Sequence, residues 1–246
     1  MSSTSSSTSS AALDEWKTDW KKSTEKLVLE DFPKKVVEIN ELLQGPLFSM
    51  SRLQEVPAEM NLAQFVNSSL PQPENNDTAG APSKKTKVTP VDVVGYIRAP
   101  IACNRLIGDL TNIVKPIVRE AVENVNKVKM WILFLIPRIE DGNNFGVQIQ
   151  EDTLAEVRTV EAEATSCLEQ ISHYLYSRAR LVCKCAKYPH VEDYQEGVRD
   201  LDEKEFLKLR LFLLEVRNHY SSLHDMIVKN LDKIKTPRTA HSQHLY

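Results

Sequence analysis

The side chains that could do chemistry stand in spacings that support none of the common mechanisms. Six histidines, His173, His190, His219, His224, His241 and His244, are scattered, with no acid or nucleophile at a telling distance. Cys183 and Cys185, with His190 shortly after, come nearest to a metal motif. A zinc site needs a second ligand pair at matching spacing, and none is present, so no metal is expected. Glu161 with Glu163, and Glu203 with Glu205, read as solvated charge rather than as a general acid and base. Di-metal sites in helical bundles need Glu-x-x-His pairs on facing helices, and the chain has none. Phosphate loops, HExxH, a nucleophile elbow and a glycine-rich dinucleotide turn are missing as well. The expectation is a protein without catalytic residues and without a cofactor.

Two segments exceed what helix packing requires. Pro137-Arg138-Ile139-Glu140-Asp141-Gly142-Asn143-Asn144-Phe145-Gly146 joins two long helical patterns, where a plain hairpin takes two to five residues. Its Gly-Asn-Asn centre tolerates positive φ, which predicts a formed, protruding turn. Phe145 is either exposed for contact or folded back onto the bundle end. The second segment follows Thr236-Pro237 and comprises Arg238, Thr239, Ala240, His241, Ser242, Gln243, His244, Leu245 and Tyr246. It reads as a flexible tail. A frayed end is its plainest meaning, but an apolar-aromatic pair such as Leu245-Tyr246 is also a way of entering a partner's pocket.

Composition bounds the rest. With 7 glycines in 246 residues, glycine is at about half its usual ~7%, which argues against β-sandwiches and nucleotide-binding α/β folds. A net charge of −3 gives no electrostatic reason to expect nucleic acid or an anionic membrane. The longest apolar run, Met130 to Ile136, is 7 residues, too short to span a bilayer. Met1 to Ser10 has no apolar core of the secretory kind. An intracellular soluble protein with reduced Cys103, Cys167, Cys183 and Cys185 is expected, and the acceptor patterns at Asn67 and Asn76 then carry no glycans.

The elements that must position these segments are helical. Residues 1–12, Ser/Thr-rich, read as disordered. A helical pattern runs over 13–45 with Trp16, Trp20, Leu27, Val36, Ile39, Leu42 and Leu43; Pro33 should kink or break it, and Gly45-Pro46 ends it. Prolines and Asn/Ser clusters over 46–103 predict a linker, ordered near Leu53 to Val66 and disordered around 71–90. Residues 104–236 hold three more helices. The first carries Leu106, Leu110, Ile113, Ile117, Ala121, Val125, Val128, Trp131 and Leu135, with a kink expected at Pro116. The second carries Leu154, Val157, Glu161, Ala164, Leu168, Ile171 and Leu175. The third, from Phe206 to Ile234, is preceded by Asp202-x-x-Glu205, read as a capping box. Short connections make these neighbours antiparallel. The fold class is all-α, an elongated four-helix bundle, and the apolar Lys129–Ile136 stretch predicts side-by-side packing of protomers.

The string Ile136-Pro137-Arg138-Ile139-Glu140-Asp141-Gly142-Asn143-Asn144-Phe145-Gly146-Val147 resembles the activation loop of the 11S proteasome activators, the REG family. Phe32-Pro33-Lys34-Lys35, Val114-Lys115-Pro116, Lys187-Tyr188-Pro189-His190-Val191-Glu192-Asp193-Tyr194, Leu223-His224-Asp225-Met226-Ile227 and Lys235-Thr236-Pro237-Arg238 extend it over about 13–45 and 93–246. The gamma type is the nearest, since the linker lacks an alternating Lys/Glu tract. The resemblance implies a heptameric ring around an axial channel, seated without ATP on the α-subunit ring of the 20S proteasome. Tails corresponding to Arg238–Tyr246 would enter pockets between α subunits, and loops corresponding to Arg138–Gly146 would open the gate and stimulate peptide hydrolysis. Arg178, Arg180 and Lys184 could line the channel or lie on a solvated outer face. The partners implied are the 20S α-ring, further copies of the chain and client peptides or proteins. The family type implies a nuclear protein, with the cytoplasm also open, and Ser83-Lys84-Lys85-Thr86-Lys87 is a short basic cluster of the import kind. From the bundle pattern alone, a coiled-coil scaffold without gate-opening activity is the alternative.

Overall fold

The computed structural model describes residues 3–56, 102–140, 142, 144–188 and 190–238. The remaining expected linker with its Ser83–Lys87 cluster, the two glycan acceptor patterns, Asp141, Asn143, and Thr239–Tyr246 lie outside the described residues. Among the described residues the elements are α1 (Ser3–Lys26), α2 (Phe32–Gln44), α3 (Arg105–Leu135), α4 (Phe145–Lys187), α5 (Glu192–Lys229) and the short α6 (Leu231–Lys235), with 3₁₀ turns at Pro46–Phe48 and Met50–Gln54. At 1.5 Å per residue, the 43 residues of α4 make a rod about 65 Å long.

Cross-helix contacts give the topology. Leu135–Gln150 with Lys129–Glu161, and Glu163–His219 with Cys167–Glu215, fix α3 against α4 and α4 against α5, with residue numbers rising on one helix as they fall on the other. Trp16 against Phe134 with Lys35 against Glu120, and Glu25 against Lys235 with Phe32 against Tyr220, set the first rod antiparallel to both α3 and α5–α6. Asn104 meets Asp202 and Asn124 meets Tyr220, offsets of 98 and 96 residues that make α3 and α5 parallel across the bundle diagonal. The result is an up-down-up-down bundle. Phe32, Phe48, Trp131, Ile132, Phe206, Leu213 and Ile227 are among its fully buried members, each contributing about 1.5–3 kcal/mol on burial.

Several expectations change. The first helix starts at Ser3 rather than Leu13, so the Ser/Thr stretch read as disordered is helical from Ser3. Pro33 does not break the rod. It lacks an N–H and its ring crowds the carbonyl one turn back, and the chain meets this with a π-turn, Leu27–Asp31, in which the Phe32 N–H reaches the Leu27 carbonyl. Pro116 lies inside the uninterrupted α3. Gly45 is extended at φ −70°, ψ 168°, the conformation a residue before proline prefers. The last long helix begins at Glu192, so Asp202 and Glu205 are not a cap but buried groups in mid-helix.

Asp202, 1% exposed, collects four hydrogen bonds from three side chains. Tyr174 Oη donates at 2.7 Å, Arg178 Nε at 3.0 and 3.3 Å, and Asn104 Nδ2 at 2.9 Å. Asn104 also caps α3 through Oδ1 and donates to the Val56 carbonyl at 3.3 Å. Arg178 Nη1 reaches the Ala102 carbonyl. Val56 and Ala102, the described residues on either side of 57–101, are therefore tied through Asn104 and Arg178 to one carboxylate at one pole. Burial, with the hydrogen bond to Asp202 next in weight, pushes the Tyr174 hydroxyl pKa up.

Candidate functional site at the loop pole

At the opposite pole α3 ends, α4 begins and α5–α6 terminates. Ile136 turns extended, at φ −64° and ψ 123°, because Pro137 follows it. Arg138, Ile139 and Glu140 then run over the surface; Ile139 is 103% exposed. Gly142 takes φ +128°, a conformation L side chains rarely adopt, so the glycine at the loop tip is used as the sequence predicted. Helix α4 starts at Phe145, so Phe145 and Gly146 belong to its first turn rather than to the loop. Phe145 is 66% exposed, which decides between its two readings in favour of an outward position.

Two residues hold this pole together, and sequence reasoning passed over the first of them, Gln150. Gln150, fully buried, donates from Nε2 to the Leu135 carbonyl at 3.1 Å and the Ile234 carbonyl at 2.7 Å. Carbonyls at helix C-termini have no intrahelical partner, and one amide here satisfies two, joining α3, α4 and α6. Its Oε1 has no partner among the described residues. The signal was a polar residue inside the Gly146–Gln150–Thr153–Val157 stripe of buried positions. The other is Gly146: a Cβ there would lie 2.2 Å from the Pro237 carbonyl oxygen and 2.7 Å from its Cα and carbonyl carbon. The chain leaving α6 is thus laid directly on the first turn of α4.

Arg238 follows and turns back onto the loop. Its Nη1 donates to the Arg138 carbonyl at 3.1 Å and to Glu140 Oε2 at 3.0 Å. Its Nη2 donates to Asn144 Oδ1 at 3.0 Å and to the Glu140 carbonyl at 3.4 Å. Of the expected tail, Arg238 is therefore engaged with the loop, and Thr239–Tyr246 lie outside the described residues. Arg138, Ile139, Glu140, Gly142, Asn144, Phe145 and Gly146 come together with Arg238 at one end of the bundle.

The three basic residues proposed for a channel separate. Arg178 is 5% exposed and committed to Asp202, so it lines no surface; an ion pair that deep is an internal tie. Arg180 and Lys184 are exposed, with Arg180 over the Tyr176 ring and Lys184 over the Tyr194 ring. Cys183 is exposed and Cys185 buried, and among the described residues no three His, Cys, Asp or Glu side chains converge. Among the described residues no helix is long and apolar enough to cross a membrane. The Glu pairs part as well: Glu161 receives Asn126 and Lys129, and Glu205 is buried beside Lys208.

Comparison with known proteins finds relatives over most of the chain. Residues 7–64 match the family described as Proteasome activator PA28, N-terminal, and residues 100–244 match Proteasome activator PA28, C-terminal. The chain is 44% identical over 234 residues to the human "Proteasome activator complex subunit 3", covering 90% of each, and 45% identical to the chicken protein of that name. Among solved structures, the 11S subunit of the Plasmodium falciparum proteasome, PA28, superposes with a TM-score of 0.73 at 31% identity over 93% of this chain and 95% of that one. The trypanosome activator PA26, solved with the yeast 20S proteasome, shares the fold at a TM-score of 0.58, 14% identical over 96% of this chain and all of that one.

Proposed function

The chain belongs to the PA28 family of proteasome activators, and we propose that it stimulates the 20S proteasome without ATP by dividing anchoring from gate opening. Thr239–Tyr246 anchors it to the α-subunit ring, and the loop over Arg138–Asn144, continued by Phe145 and Gly146, presses the gate open. The observation that carries this reading is the joining of the loop to the root of the tail by Arg238 and by the Gly146–Pro237 contact. A lever and its anchor leave the bundle from one face.

A heptameric ring supplies the affinity. One short tail binds weakly, but linked tails raise each other's effective concentration, and avidity adds roughly 10²–10⁴. Opening the gate needs contacts stronger in the open than in the closed state. The exposed Ile139 and Phe145 are suited to making them. Arg180 and Lys184 stand as candidates for the channel wall, where they bias which peptides pass. The basic cluster at Ser83–Lys87, with the gamma-type resemblance, favours a nuclear protein.

The test uses purified chain with 20S proteasome and fluorogenic peptides. Deleting 239–246 abolishes association and stimulation together, whereas Asn144→Tyr keeps association and loses stimulation. Native mass measurement on the 28.0 kDa chain reads the ring directly. Full stimulation by the truncated chain overturns the anchoring role, and a monomer or dimer that does not stimulate supports a scaffold instead.

A further inference from the structure

Arg238 occupies a position that an anchor alone does not require. Its guanidinium faces four acceptors drawn from Arg138, Glu140 and Asn144, so one side chain spans most of the loop. Both ends of that span are rigidly based. On the tail side, the Thr236 N–H bonds the Asp232 carbonyl at 2.8 Å, Ile234 is fully buried, and Pro237 rests on Gly146. On the loop side, Pro137 leaves a helix end that Gln150 holds through Leu135. Between them lie residues with few other ties: Glu140 is exposed and Ile139 wholly so.

We propose that Arg238 is a positioning residue, a latch that fixes the Arg138–Asn144 loop to the root of the tail so that seating the tail sets the loop. This rests on the activator reading above and names the part that couples its two halves. A planar five-donor fork suits the task. A lysine ammonium at this place meets one or two of the four acceptors and cannot span the others. Because two bonds go to main-chain carbonyls, the latch holds loop backbone and not only the Glu140 charge.

The experiment compares wild type, R238A and R238K in three measurements. Hydrogen exchange of the 138–144 amides in the free chain should quicken about tenfold in R238A, the scale of losing one well-placed charged hydrogen bond. R238K should follow R238A rather than wild type. With 20S present, maximal stimulation should fall at least about fivefold, in line with the loosened loop, while the half-saturating concentration moves little. Wild-type exchange in R238A, or wild-type stimulation, overturns the latch. A raised half-saturating concentration with full maximal stimulation also overturns it, since Arg238 would then be an anchor. If the wild-type chain fails to stimulate 20S at all, the activator reading falls, and loop exchange in R238A and R238K still decides whether the latch exists.

Discussion

Gly146→Ala sets intrinsic helix propensity against one specific contact. In an open helical position the added methyl stabilises by roughly 0.5–1 kcal/mol. At Gly146 the new Cβ would sit 2.2 Å from the Pro237 carbonyl oxygen, where ordinary contact begins at 3.4 Å, so reaching ordinary contact takes a backbone separation of 3.4 less 2.2, or 1.2 Å. Overpacking of this kind costs about 1–3 kcal/mol, leaving a net loss of up to about 2.5 kcal/mol after the propensity gain. For a chain of this size that lowers Tm by up to about 10 °C. The strain has one cheap outlet, lifting Thr236–Arg238 off α4, which also draws Arg238 from its loop acceptors. Stimulation of peptide hydrolysis therefore falls along with Tm. Gly108 is the control: it too is helical, in the first turn of α3, but with nothing within 4 Å of its Cβ position. Gly108→Ala should leave Tm unchanged or higher and stimulation intact. All variants are melted at one protomer concentration, because assembly couples to stability. A G146A protein with wild-type Tm and wild-type stimulation would refute the close approach.

Further outcomes are expected at other sites. Asp202→Ala strands Arg178 in the interior at a cost of about 3–5 kcal/mol, lowering Tm by roughly 10 °C in a thermal melt; a drop under 2 °C would mean the pair contributes little. Burial raises the Glu205 pKa against the opposing Lys208, so its contribution to stability is full below the ordinary carboxylate range and is lost as pH rises through the raised value. Glu205→Gln should accordingly raise Tm at pH 7 and lose that advantage near pH 4, and an equal effect at both pH values argues against a raised pKa. Burial, then the neighbouring Glu215 charge, pushes the Cys167 thiol up to about 12; at pH 8 its thiolate fraction is about 10⁻⁴. Maleimide should label exposed Cys103 and Cys183 within minutes, and Cys167 only after unfolding. Arg180→Glu should shift stimulated cleavage among basic, acidic and apolar peptides, whereas an unchanged profile removes Arg180 from the channel.

The helices were legible because an apolar side chain every three or four residues has one meaning in a chain with few glycines. Their limits were less so, for physical reasons particular to each. Pro33 signals a fault in the ladder but not its form, since a π-turn and a break both relieve the same clash. Asp202-x-x-Glu205 has the spacing of a cap, but the same spacing recurs in mid-helix. What decides between them is Tyr174 and Arg178 on the antiparallel neighbour, visible only once the register of α4 against α5 is known. The same ignorance of register left Arg178 among the surface cations. At the other pole the loop was recognisable as a string, and its Gly142 as a turn. The contacts holding it come from Gln150, Pro237 and Arg238, and no local pattern connects Arg238 with a loop 94 to 100 residues earlier.

Topology explains how distant segments come to share one face. In an up-down-up-down bundle the C-terminus of α3 and the N-terminus of α4 share a pole by adjacency. The C-terminus of α5–α6 joins them because α5 runs antiparallel to α4. Loop and tail must then emerge side by side, whatever their sequences. What sequence adds is the absence of a side chain at Gly146, one amide at Gln150 that closes two helix ends, and one guanidinium at Arg238. The other pole is built on the opposite plan, with a buried carboxylate gathering Asn104 at the start of α3 and Arg178 of α4, which in turn hold the Val56 and Ala102 carbonyls. A charge that deep locks its surroundings, since loosening any donor exposes the cost of burying it. The exposed latch can open and close at a far smaller cost. The bundle therefore has a fixed pole where the segment attaches and an adjustable one where the loop and tail leave, the asymmetry a part needs if docking at one end is to move something there without unfolding the rest.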